Sequence, residues 1–410
     1  MTQLLKVIER MTGIKKEGQG TAFLVALGHC ATHWMIGTIY IVLPFIAREF
    51  GLSYTEAGGL ITIFHISAFL ANAGSGVVVD ITGKRVAIQF FALVIGAAGF
   101  VAFGFSTSLF GLSLAIMVVG VTNNLWHPAA ISYLSLRFPE NRGYALSIHS
   151  LGANLGDTIA PIIIGSLLIW LNWGITIGVS SIPVFAVALW IILIMKDVNS
   201  QEKIEEDFVV RKEEYREGLV KMLKDFSILS LCVMSGLRSM TQNGLLVFIP
   251  LYLANVLEAG PLILGASLMV MQLTGLIAGP IAGVFSDNVG RRSIVLIGLL
   301  ITTIITIILG MISNLTLYIL VIALLGFALF AVRPVIHSWL MDLTPKNLGG
   351  SATSLLFATQ SALSAIIPLG GGVIADIWGL SIVFYLLAVF IFLATILVVF
   401  IPDKILEVEV

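Results

Sequence analysis

Apolar residues fill this chain in long blocks separated by short polar breaks. Twelve blocks lie near 21–47, 57–79, 86–105, 111–136, 143–170, 173–195, 226–254, 261–285, 293–312, 316–341, 350–375 and 379–401. Each holds roughly 20 to 29 residues, enough to cross about 30 Å of hydrocarbon as a helix. Backbone groups in lipid must be bonded within their own segment, which favours helices, and a barrel would show short alternating strands instead. The pattern predicts an all-α membrane protein of twelve transmembrane helices.

The polar breaks are asymmetric. The N-terminal segment carries Lys6, Arg10, Lys15 and Lys16, and later breaks carry Lys84 and Arg85, Arg137 and Arg142, Arg291 and Arg292, and Lys346. Seven more basic residues lie between Lys196 and Lys224, and Lys404 is in the tail. Of the 22 lysines and arginines, only Arg48 lies in the opposite loops, while Arg238 and Arg333 lie inside spans. By the positive-inside rule, both termini and the central loop are expected in the cytoplasm. The expected organisation is a segment 1–20, a six-helix bundle 21–195, a linker 196–225, a second bundle 226–401 and a tail 402–410. The linker mixes acidic and basic residues, which suits a partly helical strand on the membrane surface. The first 19 residues show no cleavable-signal pattern, so the first block is expected to be a retained span of a cell-membrane protein.

The two bundles repeat each other. "GVVVDITGKR" begins at Gly76 and "GVFSDNVGRR" at Gly283, so that Gly76, Asp80, Gly83, Lys84 and Arg85 correspond to Gly283, Asp287, Gly290, Arg291 and Arg292. Pro44 matches Pro250, His127-Pro128 matches Arg333-Pro334, and Pro161 and Gly165 match Pro368 and Gly372, at offsets of 206 or 207. Parallel halves of six spans are a transporter plan. The G-x-x-x-D-x-x-G-basic-basic loop resembles the signature of the major facilitator superfamily over nearly the whole chain. In that family the loop is a latch holding one conformation, which here implies Gly76, Asp80, Gly83 and Arg85 with Gly283, Asp287, Gly290 and Arg291. On physical grounds Gly76 and Gly283 are expected to allow close helix contact. Asp80 and Asp287 fall at helix C-termini, where the dipole disfavours an acid, so each is expected to find a basic side chain or a helix N-terminus across the halves. A simple topogenic turn is the alternative.

"VGVTNNLWHPAAIS" and "RGYALSIHSLGANLGDTIAPIIIG" resemble the fosmidomycin-resistance branch of drug exporters, through His127-Pro128, Arg142-Gly143 and the Gly152, Asn154, Gly156, Pro161 series. The glycine–proline series also resembles the superfamily's antiporter motif. His29 is family-like, but His33 stands where that branch has an acid.

Composition agrees with the pattern and removes other classes. The chain is 58% hydrophobic and 11% charged, with a net charge of −1 and mean hydropathy of +1.05. No global field attracts nucleic acid. Cys30 and Cys232 offer neither a disulfide framework nor metal spacing. No nucleotide loop or spaced nucleophile–base pair points to an enzyme, and no cofactor is expected.

Spans three, six, nine and twelve contain no Asp, Glu, Lys, Arg or His. Ionisable groups in hydrocarbon are costly and mark pathways, and here they gather in spans one, two, four, five, seven and ten. Asp157 is the one carboxylate deep in a span, and Arg238 and Arg333 are the deep fixed cations. Asp157 is expected to offset one guanidinium, leaving about one for a phosphonate or carboxylate. A purely structural ion pair is the alternative. His29 and His33 are four apart on one helix face, as are Arg333 and His337. Paired imidazoles suit proton handling or substrate bonding, and no metal is expected, since no carboxylate or cysteine sits near on that face. His65 and His149 read as structural hydrogen bonders. Asn123, Asn154 and Gln360 add neutral polar groups that serve a solute or hold helices together, and Trp34 and Trp126 read as packing.

The resulting expectation is a monomeric secondary transporter in the bilayer that exports a small drug or metabolite, an anion such as a phosphonate among the candidates, against protons. Substrate contacts would come from Arg238, Arg333, His29, His33, His127, Asn123, Asn154 and Gln360, with proton coupling at Asp157, His33 or His127. An organic-anion importer or exchanger without proton coupling, and a transporter-like sensor or lipid-handling protein, are the alternatives.

Overall fold

The computed structural model describes residues 16–196, 220, 222–344 and 348–401, with no strand among them. The helices are α1 (Lys16–Phe50), α2 (Tyr54–Thr82), α3 (Arg85–Gly104), α4 (Leu109–Arg137), α5 (Arg142–Leu167), α6 (Trp173–Ile194), α7 (Phe226–Asn255), α8 (Pro261–Val289), α9 (Arg291–Leu309), α10 (Leu315–Leu343), α11 (Gly349–Ser364), α12 (Ile366–Trp378) and α13 (Leu380–Phe400). The twelve expected spans are all helical, the eleventh being split into α11 and α12. Nine spans among the described residues are long and apolar enough to cross a bilayer by length and composition. Those below that level are α2, α5 and α7, which carry internal glycine, serine, asparagine and ionisable residues. Most of the 196–225 linker, Lys346, residues 1–15 and the 402–410 tail lie outside the described residues.

Helix starts follow local chemistry. Ser108, Asn172, Asp225 and Asn314 cap α4, α6, α7 and α10, each accepting from a backbone N–H two or three residues on. Such a cap stabilises a helix by about 1 kcal/mol. Gly83 and Gly290 end α2 and α8 with φ of 63° and 95°, which explains why both loop repeats place glycine there.

The chain divides into two compact units, Met1–Ile46 with Ile66–Glu202, and Ala47–His65 with Lys203–Val410. In the first unit α3 packs on α4 and α6. Close contact with α1 comes from glycines of α5: a Cβ on Gly152 would sit 2.0 Å from the Ala26 carbonyl oxygen, and one on Gly156 2.5 Å from that of Cys30. Gly28 of α1 leaves room for the buried Trp126 ring of α4.

In the second unit α8 packs on α10, and α7 lies against α11 and α13. Gly326 approaches the Met271 carbonyl so closely that a Cβ would lie 2.0 Å from it. The break between α11 and α12 follows from Pro368, which has no N–H to continue the ladder. Thr62 fills the gap, its hydroxyl donating to Ala365 O at 3.0 Å and accepting from Leu369 N at 3.1 Å. Two residues of the same stretch, Tyr54 and Thr55, donate their N–H groups to Asp376 at 2.8 and 2.9 Å. These bonds place residues 47–65 with the second unit.

The faces of α6, α9 and α13 turned away from their units are apolar, with Leu193, Ile304 and Phe392 exposed. In water such surface would drive association, whereas acyl chains match it. These helices are the histidine- and charge-poor spans of the sequence. An open groove of about 350 Å³ among α8, α9 and α10 is lined only by apolar residues and glycine, including Ile281, Phe285 and Phe327. It offers no hydrogen bond to a polar solute.

Candidate functional site

The polar side chains of the first unit converge on α1. His29 and His33 lie one turn apart, with ring centroids separated by 4.8 Å. His127 of α4 comes to 5.0 Å from His29 and 6.4 Å from His33. His149 of α5 stacks on His29 at 3.9 Å. The α5 glycines make this possible, because Gly156 brings its helix against the backbone of Cys30 and the Cβ of His33. The next residue, Asp157, then meets His33, with Oδ1 2.9 Å from Nδ1. Both side chains are about one-fifth exposed, 21% and 23%.

Nδ1 of each clustered ring faces an acceptor. His29 Nδ1 is 2.8 Å from the His149 carbonyl oxygen, and His127 Nδ1 is 2.8 Å from that of Asn123. Carbonyls only accept, so these two nitrogens donate, which sets their tautomers. Asn123 in turn donates to Thr32 O at 3.1 Å, tying α4 to α1. Pro128 follows His127 directly, and its missing N–H opens the helix ladder at the Asn124 carbonyl. The Asn154 backbone carbonyl accepts from the Thr158 hydroxyl at 2.7 Å. Trp34 donates to Ser180 O and Trp126 is wholly buried, so both act in packing.

Asp157 was expected to offset a guanidinium; within its own unit its partner is the His33 imidazole. The expectation that no carboxylate stands near the His29–His33 face fails with it. The pairing crosses 124 residues, and the sequence hint was the small-residue spacing Gly152, Gly156 next to Asp157.

In the second unit Arg238 of α7 is buried and gives Nε and Nη2 to one acceptor, Leu329 O, at 3.3 and 2.7 Å. Its guanidinium carbon lies 6.0 Å from the Phe330 centroid. Arg333, one turn along α10 from Leu329, is exposed. Among the described residues of this unit neither arginine has a carboxylate partner. Gln360 donates to Ser235 Oγ at 2.7 Å and Asn243 to Ser364 Oγ at 2.9 Å, so both hold α7 to the split span. His65 and His337 each lie beside a phenylalanine.

The repeated loops differ from expectation. Within their own units Gly76 and Gly283 make no close approach, since a Cβ on either would meet nothing within 4 Å. The tight contacts fall at other glycines, where a neighbouring backbone crosses. Asp287 finds its cation inside its own loop, bonding Arg291 four residues on. Arg291 also reaches Asp342 at 3.2 Å and Ser286 Oγ at 2.6 Å. The charge therefore offsets the unfavourable dipole locally. In the first repeat Arg85 is buried and donates to Ser132 Oγ at 2.7 Å. The Asp80 side chain lies outside the described residues.

The contact at Asp376 was not foreseen. It accepts from Tyr54 N, Thr55 N and Thr55 Oγ1, the last at 2.6 Å. No sequence signal joins residues 321 apart, although an acid near the end of a span lacks a partner on its own helix.

Twelve helical spans in two repeated halves define a multi-pass membrane protein built on a transporter plan. The sequence model of the Major Facilitator Superfamily matches residues 25–275 and again 231–407, and the chain belongs to that family. Over nearly its whole length it is similar to transporters of Escherichia coli K12. It is 21% identical to a hexuronate transporter, covering 90% of each chain, and 24% identical to the sialic acid transporter NanX, covering 95% of each. It is 30% identical to the multidrug resistance protein MdtG of Klebsiella pneumoniae over 157 residues, 37% of this chain and 38% of that one. Among solved structures, a bacterial homologue of the human lysosomal transporter Spinster, inward-facing and unoccupied, superposes with a TM-score of 0.81. That match has 16% identity and covers 94% of this chain and 97% of the other. The chain is a secondary transporter of this class.

Proposed function

We propose that this protein moves a small organic anion, of carboxylate or phosphonate type, across the cell membrane by alternating access, coupled to protons. The observation that carries the reading is Arg238. It is a buried guanidinium held in place by a carbonyl, with no carboxylate among the described residues of its unit to neutralise it. Such a group retains its charge and binds oxyanions through a planar fork. Arg333 adds a second cation on the adjoining helix. The two full-length relatives from Escherichia coli are named for acidic sugars, which suits an anion site.

Proton coupling is assigned to the His33–Asp157 pair, whose bond at 2.9 Å is only partly exposed. A proton taken up there alters the charge of a group inside the span, and so favours one conformation over the other. Export is the direction of this reading, in line with the partial likeness to MdtG. Uptake is the second reading, favoured by the longer likeness to the acid-sugar transporters. The fosmidomycin-like substrate remains within the first reading, as a phosphonate. The chain acts as a monomer with both termini in the cytoplasm and makes or breaks no covalent bond.

Proteoliposomes holding the purified protein test this. An imposed pH gradient is expected to drive accumulation of labelled hexuronate, sialic acid or fosmidomycin, and wild-type-like transport by Arg238→Ala would overturn the anion assignment. Transport that needs counter-substrate and ignores the pH gradient would replace proton coupling with exchange.

A further inference from the structure

We infer that His29, His33 and His127 form a binding site for a divalent transition metal of the zinc class inside the first helical bundle. One ring nitrogen from each lies within 4.8 Å of those of the other two. What singles the cluster out is the direction of its other nitrogens. His29 Nδ1 gives its proton to His149 O, His127 Nδ1 gives its proton to Asn123 O, and His33 Nδ1 meets Asp157 Oδ1. With its Nδ1 proton given to the His149 carbonyl, the neutral His29 ring has its Nε2 lone pair to offer.

The sharpest observation is at His29. The residue is 7% exposed, and its Nε2 is buried with no hydrogen-bond partner. Orphaned buried polar atoms are rare and costly. A metal would satisfy this one, and so would a shared proton, but the acceptors behind the rings favour the metal. Imidazole ligands typically donate their other N–H to a carbonyl or carboxylate, which orients the ring and raises its basicity. All three rings here have that partner.

The chemistry selects the metal class. Three neutral imidazoles suit zinc, cobalt, nickel or copper, and are poor ligands for magnesium or calcium, which take oxygen. A tetrahedral site with Zn–N bonds near 2.0–2.1 Å needs the nitrogens about 3.4 Å apart. The nitrogens, up to 4.8 Å apart, would close by about 1.4 Å on binding. Asp157 supplies a negative charge behind His33 to offset part of the metal's. Three protein ligands leave a fourth position open, and the partial exposure of His33 and Asp157 gives a way in. The site lies wholly within one unit, and its assignment does not depend on the transport reading.

Cobalt(II) is the probe, added to the purified full chain in detergent. One Co²⁺ per chain is expected, with the strong visible bands of a four-coordinate ion, displaced by Zn²⁺ and not by Mg²⁺ or Ca²⁺. Asp157→Asn, behind the ligand, is expected to weaken binding about 10- to 100-fold. His29→Ala and His127→Ala should weaken it more than that, and His65→Ala should leave it unchanged. Should the alanine variants fail to fold, His29→Gln and His127→Gln retain most of the volume and replace them. Absence of a four-coordinate spectrum, or cobalt binding that survives loss of His29 and His127, would overturn the assignment. Because binding is read without turnover, failure of the transport experiment leaves this result standing, and the converse also holds.

Discussion

His33 Nδ1 and Asp157 Oδ1 lie 2.9 Å apart, joining α1 to α5 across 124 residues. Asn at position 157 retains the shape and an acceptor for His33 and removes the ionisable group. Asp157→Asn is expected to abolish accumulation driven by a pH gradient while leaving counterflow exchange of labelled for unlabelled substrate intact. Uptake into proteoliposomes, with and without the gradient, checks both halves. Undiminished gradient-driven accumulation in this variant would move the coupling site elsewhere.

That pair exists because of a glycine. A Cβ at Gly156 would lie 2.5 Å from the Cys30 carbonyl oxygen and 2.9 Å from the His33 Cβ, and neither backbone can yield easily. Gly156→Ala is expected to destabilise the protein by about 1–3 kcal/mol and to impair transport by parting α5 from α1. Gly76→Ala meets open space within α2. It should be neutral or stabilising by up to about 1 kcal/mol, the helix-propensity difference. Thermal unfolding in detergent compares the two, and equal losses would refute the packing argument.

The architecture was readable because each span must satisfy its own backbone, which stamps a block length on the sequence. The charge-poor spans three, six, nine and twelve were readable too, since nothing in lipid compensates an ion. Partner choice was not. Asp157 was expected on a guanidinium because opposite charge is the strongest local rule, yet helix packing set by Gly152 and Gly156 delivered it to an imidazole. Asp287 had its partner four residues on, within the same loop, where i,i+4 spacing could have shown it. The role of Gly83 and Gly290 was legible as a turn, whereas that of Gly76 and Gly283 depended on which helix crosses where. Asp376 left no trace, because its donors are the backbone N–H groups of a distant helix.

Arg238 holds Leu329 O through Nε and Nη2 together. Lysine preserves the charge but has no planar fork to bond the carbonyl and an oxyanion at once. Loss of one charge-assisted hydrogen bond is worth about 1.5–3 kcal/mol, or roughly 10- to 150-fold in affinity. Arg238→Lys is therefore expected to weaken anionic substrate binding by that factor, and Arg238→Ala by at least as much. Binding titrations with an acid and its neutral amide separate charge recognition from packing: the amide should be affected far less.

Asp376 caps α2 from the far end of α12, accepting two backbone N–H groups and one hydroxyl. Removing a capping side chain costs about 0.5–2 kcal/mol. Asp376→Ala is expected to fall in the upper part of that range, since three donors lose their partner, and Asp376→Asn to lose less. Asn314→Ala, which removes a single cap bond at α10, supplies the comparison. Unfolding midpoints should order as wild type, Asn314→Ala, Asp376→Ala; a reversed order would show that the Asp376 bonds add little.

Gly290 closes α8 with φ 95° and ψ 145°, a region open in practice to glycine alone. Immediately after it, Arg291 begins α9 and bonds Asp287 and Asp342. A side chain at 290 must either hold that strained backbone or twist the turn and pull Arg291 off its carboxylates. Gly290→Ala is thus expected to cost about 1–3 kcal/mol. If the strain is relieved by twisting, Arg291→Ala in the Gly290→Ala background should add little further loss, because its ion pairs are already broken. If the turn holds its shape, the two losses should add. A double-mutant cycle on unfolding free energy distinguishes these outcomes, and a neutral Gly290→Ala would show that glycine's freedom is not needed at this turn.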